Sequence, residues 1–81
     1  IWTNEGSLMF NIEEREKIIE LFEKYKLFLP QSQFQILHLY LNEDLSIGEI
    51  SKLLAMTRSA VFDAFKKGKK KLIEISQKLE V

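Results

Sequence analysis

The sequence has no cysteine, one histidine, one proline and one tryptophan in 81 residues, and its formal charge sums to zero. Without thiols, neither a disulfide framework nor a zinc–thiolate centre can form, which fits a reducing cytoplasm. The lone His38 has no second histidine and no serine or aspartate at motif spacing, so it reads as a packed or rim residue rather than a catalyst or ligand. The sequence also lacks a glycine-rich phosphate loop, a metal signature and a nucleophile motif, and no enzyme activity, metal or cofactor is expected. No apolar run approaches the roughly 18 residues of a membrane-spanning helix, and no charged-then-apolar leader is visible. A soluble cytoplasmic protein without membrane insertion is the expectation.

What is present is 46% hydrophobic and 30% charged, the composition of one small globular domain whose core is only marginally large enough to stand alone. No linker, repeat or low-complexity tract suggests a second domain. Residues 1–8 show no usable period and read as an expression remnant or a disordered N-terminus, with Met9 as the native start. Residues 9–81 then form a single domain. The zero net charge hides an asymmetry. Residues 1–50 carry four bases against nine acids, a balance of −5, while residues 51–81 carry eight against three, a balance of +5. The basic end is where a polyanion would be met.

Apolar periodicity gives an all-α chain. Asn11 is placed to cap a first helix whose opening turn is rich in glutamate, favourable at the positive end of the helix dipole. Ile18, Leu21, Phe22, Tyr25, Phe28 and Leu29 form its inward stripe, and Pro30 stops it near Leu29. Residues 31–41, QSQFQILHLYL, are apolar on nearly all sides and predict a central helix with several neighbours. A polar connector, Asn42-Glu43-Asp44, leads to Ser46.

From Leu45 to Lys67 the sequence predicts two short helices joined by a tight turn. Ser46 and Glu49 have the spacing of a reciprocal capping box. Ile47, Ile50, Leu53 and Leu54 follow on one face. After Ala55-Met56, Thr57 caps a second helix with Val61, Ala64 and Phe65 inward. Such a pair, with too little chain for an antiparallel hairpin, crosses steeply as a helix-turn-helix. The stripe continues through Gly68, Leu72, Ile75 and Leu79, which predicts one long C-terminal helix, or two nearly collinear ones, with Gly68 on the buried face where another element approaches closely. The apolar stripes of the first and last helices exceed what so small a core needs, so one of them is a candidate homodimer seam, unless the two cover each other.

In a helix-turn-helix the leading half of the second helix enters the DNA major groove. Its outward residues are Thr57, Arg58, Ser59, Phe62, Asp63 and Lys66, the candidate base contacts. Arg58 suits a two-pronged contact to guanine, Ser59 either base type, and Phe62 a thymine methyl. Asp63 runs against this scheme unless it accepts from cytosine or pairs with a nearby lysine. Lys52, Lys67, Lys69, Lys70 and Lys71 are the candidate phosphate contacts, which position without reading sequence. The bland reading of the same residues is a solvated helix face, and an outward Phe62 suits a protein partner equally well.

At these residues the sequence resembles the YlxM-like bacterial proteins associated with the signal recognition particle, whose fold is related to the DNA-binding region four of sigma factors. The likeness runs from Met9 to about Leu79. It is carried by Gln33, Tyr40, Leu45-Ser46, Glu49-Ile50, Thr57-Arg58, Ala60-Val61 and Asp63. Two departures stand out: Ser51 where the family usually has alanine, and Ala55 where it has glycine in the turn. A positive φ at Ala55 would cost on the order of 1 kcal/mol, and Met56 fills the pocket usually held by valine. The resemblance implies a small cytoplasmic regulator or assistant of the signal recognition particle pathway. Two readings follow: a DNA-binding module, or an interaction protein that uses the same basic face to bind the particle's RNA or its GTPase.

Overall fold

A computed structural model of the chain describes residues 12–80. Within them the chain forms four α-helices, α1 (Ile12–Tyr25), α2 (Gln31–Leu41), α3 (Ile47–Leu54) and α4 (Arg58–Leu79), plus a 3-10 turn at Lys26–Phe28 and no strand. The all-α architecture with a long last helix is as the periodicity predicts. The readings of residues 1–8, of Met9 as a start and of Asn11 as a cap lie outside the described residues.

α4 is the element on which the others are assembled, because it packs against α1, α2 and α3. The nearly all-round apolar α2 packs against both α4 and α3 and meets α1 through Phe34, as a central helix should. The core joins Ile18, Leu21 and Phe22 of α1, Ile36, Leu37 and Leu41 of α2, Ile50 of α3, and Val61, Phe65 and Leu72 of α4, all buried. Aromatic rings fasten the joints: Phe22 stacks on Phe34 with centroids 5.7 Å apart, and Phe65 meets Tyr40 edge-on at 4.8 Å. Such pairs add roughly 0.5–1.5 kcal/mol beyond the area they bury.

α4 runs without a break through Gly68. The reason for glycine is spatial: a β-carbon there would lie 2.8 Å from Leu37 Cδ1 and 3.3 Å from Gln33 Cβ. α2 can approach so closely only because that carbon is missing.

Three apolar residues leave the stripes assigned from spacing. α1 ends at Tyr25, whose φ of −122° breaks the helix, and the 3-10 turn that follows is more tightly wound. The rewinding turns Phe28 and Leu27 out to solvent while Leu29 is buried. Leu53 is 62% exposed because it lies about 100° round α3 from Leu54, off the side that Ile50 and Ser51 bury. Leu79 is exposed because α4 ends there.

The stripes of α1 and α4 face one another, so the core consumes most of the apolar surface that could have served as a seam between copies. Ion pairs join the first half of the chain to the second: Lys69 Nζ lies 3.2 Å from Glu14 Oε2 and Lys24 Nζ 3.3 Å from Glu80 Oε2. His38 is half-buried, stacked on Phe34 and bonded to the Asn42 amide at 3.0 Å through Nδ1, the rim position expected of it.

Candidate nucleic-acid interface

The interface is built from the turn outward. Glu49 donates its amide to Ser46 Oγ at 3.1 Å, and Ser46 donates its own to Glu49 Oε1 at 2.8 Å. The capping box is therefore complete, and two of the orphan donors at the start of α3 are satisfied. At the other end of α3, Ala55 adopts φ 57° and ψ 44°, the left-handed conformation in which a β-carbon costs roughly 1–2 kcal/mol. The strain anticipated at this position is present. It lets the Met56 amide donate back to the Ser51 carbonyl at 2.9 Å. Met56 is half-buried against the core. Ser51, buried where an alanine is usual, satisfies its hydroxyl by donating to the Gly48 carbonyl at 2.8 Å. Thr57 then caps α4, its Oγ1 accepting from the Ala60 amide at 3.0 Å.

Val61 and Phe65 anchor the underside of α4. That fixes which side chains face away, since successive residues step about 100° round the helix. Arg58, Ser59, Phe62, Asp63, Lys66, Lys67 and Lys70 are exposed on the outward half. Phe62, 37% exposed, carries the Lys66 ammonium 5.0 Å from its ring centroid, a cation–π pair. Asp63 pairs with Lys67 at 3.1 Å. The carboxylate thus meets a lysine one turn on, which lessens its repulsion of a phosphate but also occupies one of the candidate phosphate contacts.

The remaining cations divide by direction. Lys69 is turned toward α1, its side chain only 21% exposed and held by Glu14. Lys71 lies five residues beyond Lys66, roughly 140° round the helix, on the opposite flank. Lys52 is exposed on α3. The structure gathers Arg58, Ser59, Phe62, Lys66 and Lys70 on one side, ties Lys69 at the edge of that side to Glu14, and leaves Lys71 off it. Beyond Lys66 the same side continues as a shallow furrow of about 470 Å³, with Lys66, Lys69, Lys70, Ile73, Glu74 and Gln77 along it. Their three- and four-residue spacing was a usable signal for that extension.

Gly48 was also missed. The Arg58 side chain folds back over it: a β-carbon at Gly48 would stand 3.0 Å from Nη2, 3.2 Å from Cζ and 3.4 Å from Nε. Among the described residues Arg58 has no ion pair or hydrogen bond, so its exposed guanidinium rests there by shape alone.

Among the described residues no group of histidine and carboxylate side chains could hold a metal, and no helix is long and apolar enough to cross a membrane. Two helices broken at a left-handed residue, the second anchored below by Val61 and Phe65 and open above, make this a helix-turn-helix protein. The chain belongs to the UPF0122 family: residues 12–81 match the family described as "Putative helix-turn-helix protein, YlxM / p13 like". A UPF0122 protein of Clostridium novyi is 37% identical over 70 residues, covering 86% of this chain and 61% of the relative. One from Acetivibrio thermocellus is 42% identical over 59 residues, covering 73% of this chain and 50% of the relative. One from Mycoplasma capricolum is 36% identical over 70 residues, covering 86% and 62%. The chain thus spans about three-fifths or less of the length of these relatives. No solved structure matches it.

Proposed function

We propose that this chain is a DNA-binding regulatory module of the sigma region-four kind, acting by binding and not by catalysis, within a cytoplasmic YlxM-like protein that serves the signal recognition particle pathway. The observation that carries the proposal is the open side of α4. Arg58, Ser59, Phe62 and Lys66 project from its first turns above the Val61–Phe65 anchor, and Lys70 extends the positive charge along the same side. The major groove admits one helix, and this is the helix with readable side chains at its leading edge. Arg58 and Ser59 contact base edges, Phe62 an apolar base edge, and Lys52, Lys67 and Lys70 phosphates. Residues 9–81 act as one domain, and a symmetric dimer through the remaining exposed apolar side chains would present two such helices.

A second reading is favoured by Leu53 and Phe62, both apolar and open to solvent. On that reading the same face docks on the RNA or the GTPase of the signal recognition particle. One experiment separates the two: binding to duplex DNA, particle RNA and the GTPase compared across salt concentration. The first reading expects duplex binding whose base preference changes in Arg58→Ala and Ser59→Ala, while Lys70→Ala weakens all sequences alike. Duplex binding that is weak and indifferent to Arg58, with tight capture of the RNA or the GTPase, transfers the function to the second.

A further inference from the structure

We infer that Gly48 is a specificity-determining positioning residue: its missing side chain is the shelf that sets the plane of the Arg58 guanidinium, and hence which base edge Arg58 meets. The inference rests on the DNA-binding reading of α4. Three atoms of the planar group would lie between 3.0 and 3.4 Å from a β-carbon at this site. Near-equal distances from one point to Nη2, Cζ and Nε mean that the guanidinium lies across the site with its face toward it. A methyl group would lift the plane as a whole rather than brush one edge of it.

Among the described residues no hydrogen bond or ion pair holds Arg58 in this attitude. Among the described residues it has no carboxylate partner, while the nearby Asp63 is taken by Lys67 and Glu49 is turned back to the Ser46 amide. The two-pronged contact an arginine makes to guanine depends on the plane and direction of its fork, not only on its charge. A small displacement at Gly48 therefore alters recognition while leaving net charge, the α4 anchor and the turn unchanged. Glycine is also the poorest helix former after proline. α3, only eight residues long, carries it in its first turn, where alanine would serve the helix better. The clearance over Gly48 supplies a reason for that choice.

The test uses the whole 81-residue chain, with Gly48→Ala, Gly48→Leu and Arg58→Ala compared by selection from a randomised duplex library and by thermal unfolding. Gly48→Ala is expected to melt at or above the temperature of the unsubstituted protein and to keep its salt dependence. At the base position that Arg58→Ala relaxes, it should lose discrimination by a factor on the order of five, and Gly48→Leu should lose more. In the free protein, a cross-relaxation signal between Arg58 Hε and the Gly48 α-protons is expected, and it should vanish in Gly48→Ala. If Arg58→Ala shifts the selected sequence and Gly48→Ala does not, Gly48 has no such role and the DNA reading stands. If no sequence is selected by the unsubstituted protein, both fail. If the cross-relaxation signal is missing, the shelf itself is refuted whatever the DNA result.

Discussion

The two halves of α4 are built from the same kinds of residue and do opposite things. From Gly68 onward the helix is fastened on every side that meets another element: Gly68 against Leu37, Lys69 to Glu14 at 3.2 Å, Leu72 buried, and Glu80, just past the last turn, to Tyr25 at 2.7 Å. From Arg58 to Lys67 only Val61 and Phe65 are fully committed inward, and the charged residues above them answer to each other or to solvent. A run of lysines therefore does not act as one feature. Lys69 and Lys70 are neighbours in sequence, yet one serves the core and the other faces outward, because 100° of helix rotation separates them.

The contrast can be broken most severely at Gly68. Gly68→Leu forces a side chain into space already held by Leu37 and Gln33. Overpacking of this kind costs roughly 1–3 kcal/mol, partly offset by the better helix propensity of leucine. A net loss of about 1 kcal/mol in urea unfolding is expected, and an unchanged midpoint would mean that α2 does not lie against this point.

The next effect sharpens the division of the lysines. Lys67→Ala and Lys70→Ala should each lower the slope of log affinity against log salt for duplex DNA by about one. Lys69→Ala should leave the slope nearly intact and cost up to about 1 kcal/mol of stability through the lost Glu14 contact. Equal slopes for all three would return the run to a single electrostatic patch.

A third change acts on the turn that aims the front half. Ala55→Gly removes a β-carbon from a left-handed residue, a relief of roughly 1–2 kcal/mol, against about 0.4–1 kcal/mol for the greater freedom of glycine in the unfolded chain. A gain of about half to one kcal/mol is expected by urea unfolding. A loss would mean that this turn does not need a positive φ.

The smallest effect concerns the rear fastening. Glu80 is held below its ordinary value of 4.5, chiefly by the hydrogen bond from the Tyr25 hydroxyl and then by that from Lys24. Since its folded value is depressed, the tie contributes above the ordinary carboxylate range and is lost as pH falls through the lowered value. At the alkaline end, Tyr25 and Lys24 are both raised, mainly by Glu80. Their contribution is full below 10.0 and 10.5 and is lost as pH rises from there through the raised values. Acidification should therefore lower the protection of the last-turn amides of α4, measured relative to their intrinsic exchange rate at each pH, with little effect near Phe65, and Glu80→Gln should remove most of that pH dependence.

Much of the fold was legible because the sequence states it locally. The Ser46–Glu49 box, the Thr57 cap and the buried spacing of Val61, Phe65, Gly68 and Leu72 each depend on residues within a few turns of one another. The ends of the stripes were not legible. Phe28 and Leu79 stand where their helices rewind or stop, Leu53 lies on the flank of its stripe, and period alone cannot say where burial ends. The site was legible as a list of outward positions and not as a set of partners. Glu14 is 55 residues from Lys69, and Gly48 meets Arg58 only because the turn folds one helix back on the other. Contacts across such gaps leave no signature in spacing.

An α4 of 22 residues is roughly 33 Å of continuous rod, with neither a proline nor a functioning glycine hinge along it. Whatever molecule seats on its leading turns finds no compliant joint behind them, so imperfect fit must be absorbed by the visitor's own bending and not by the protein's.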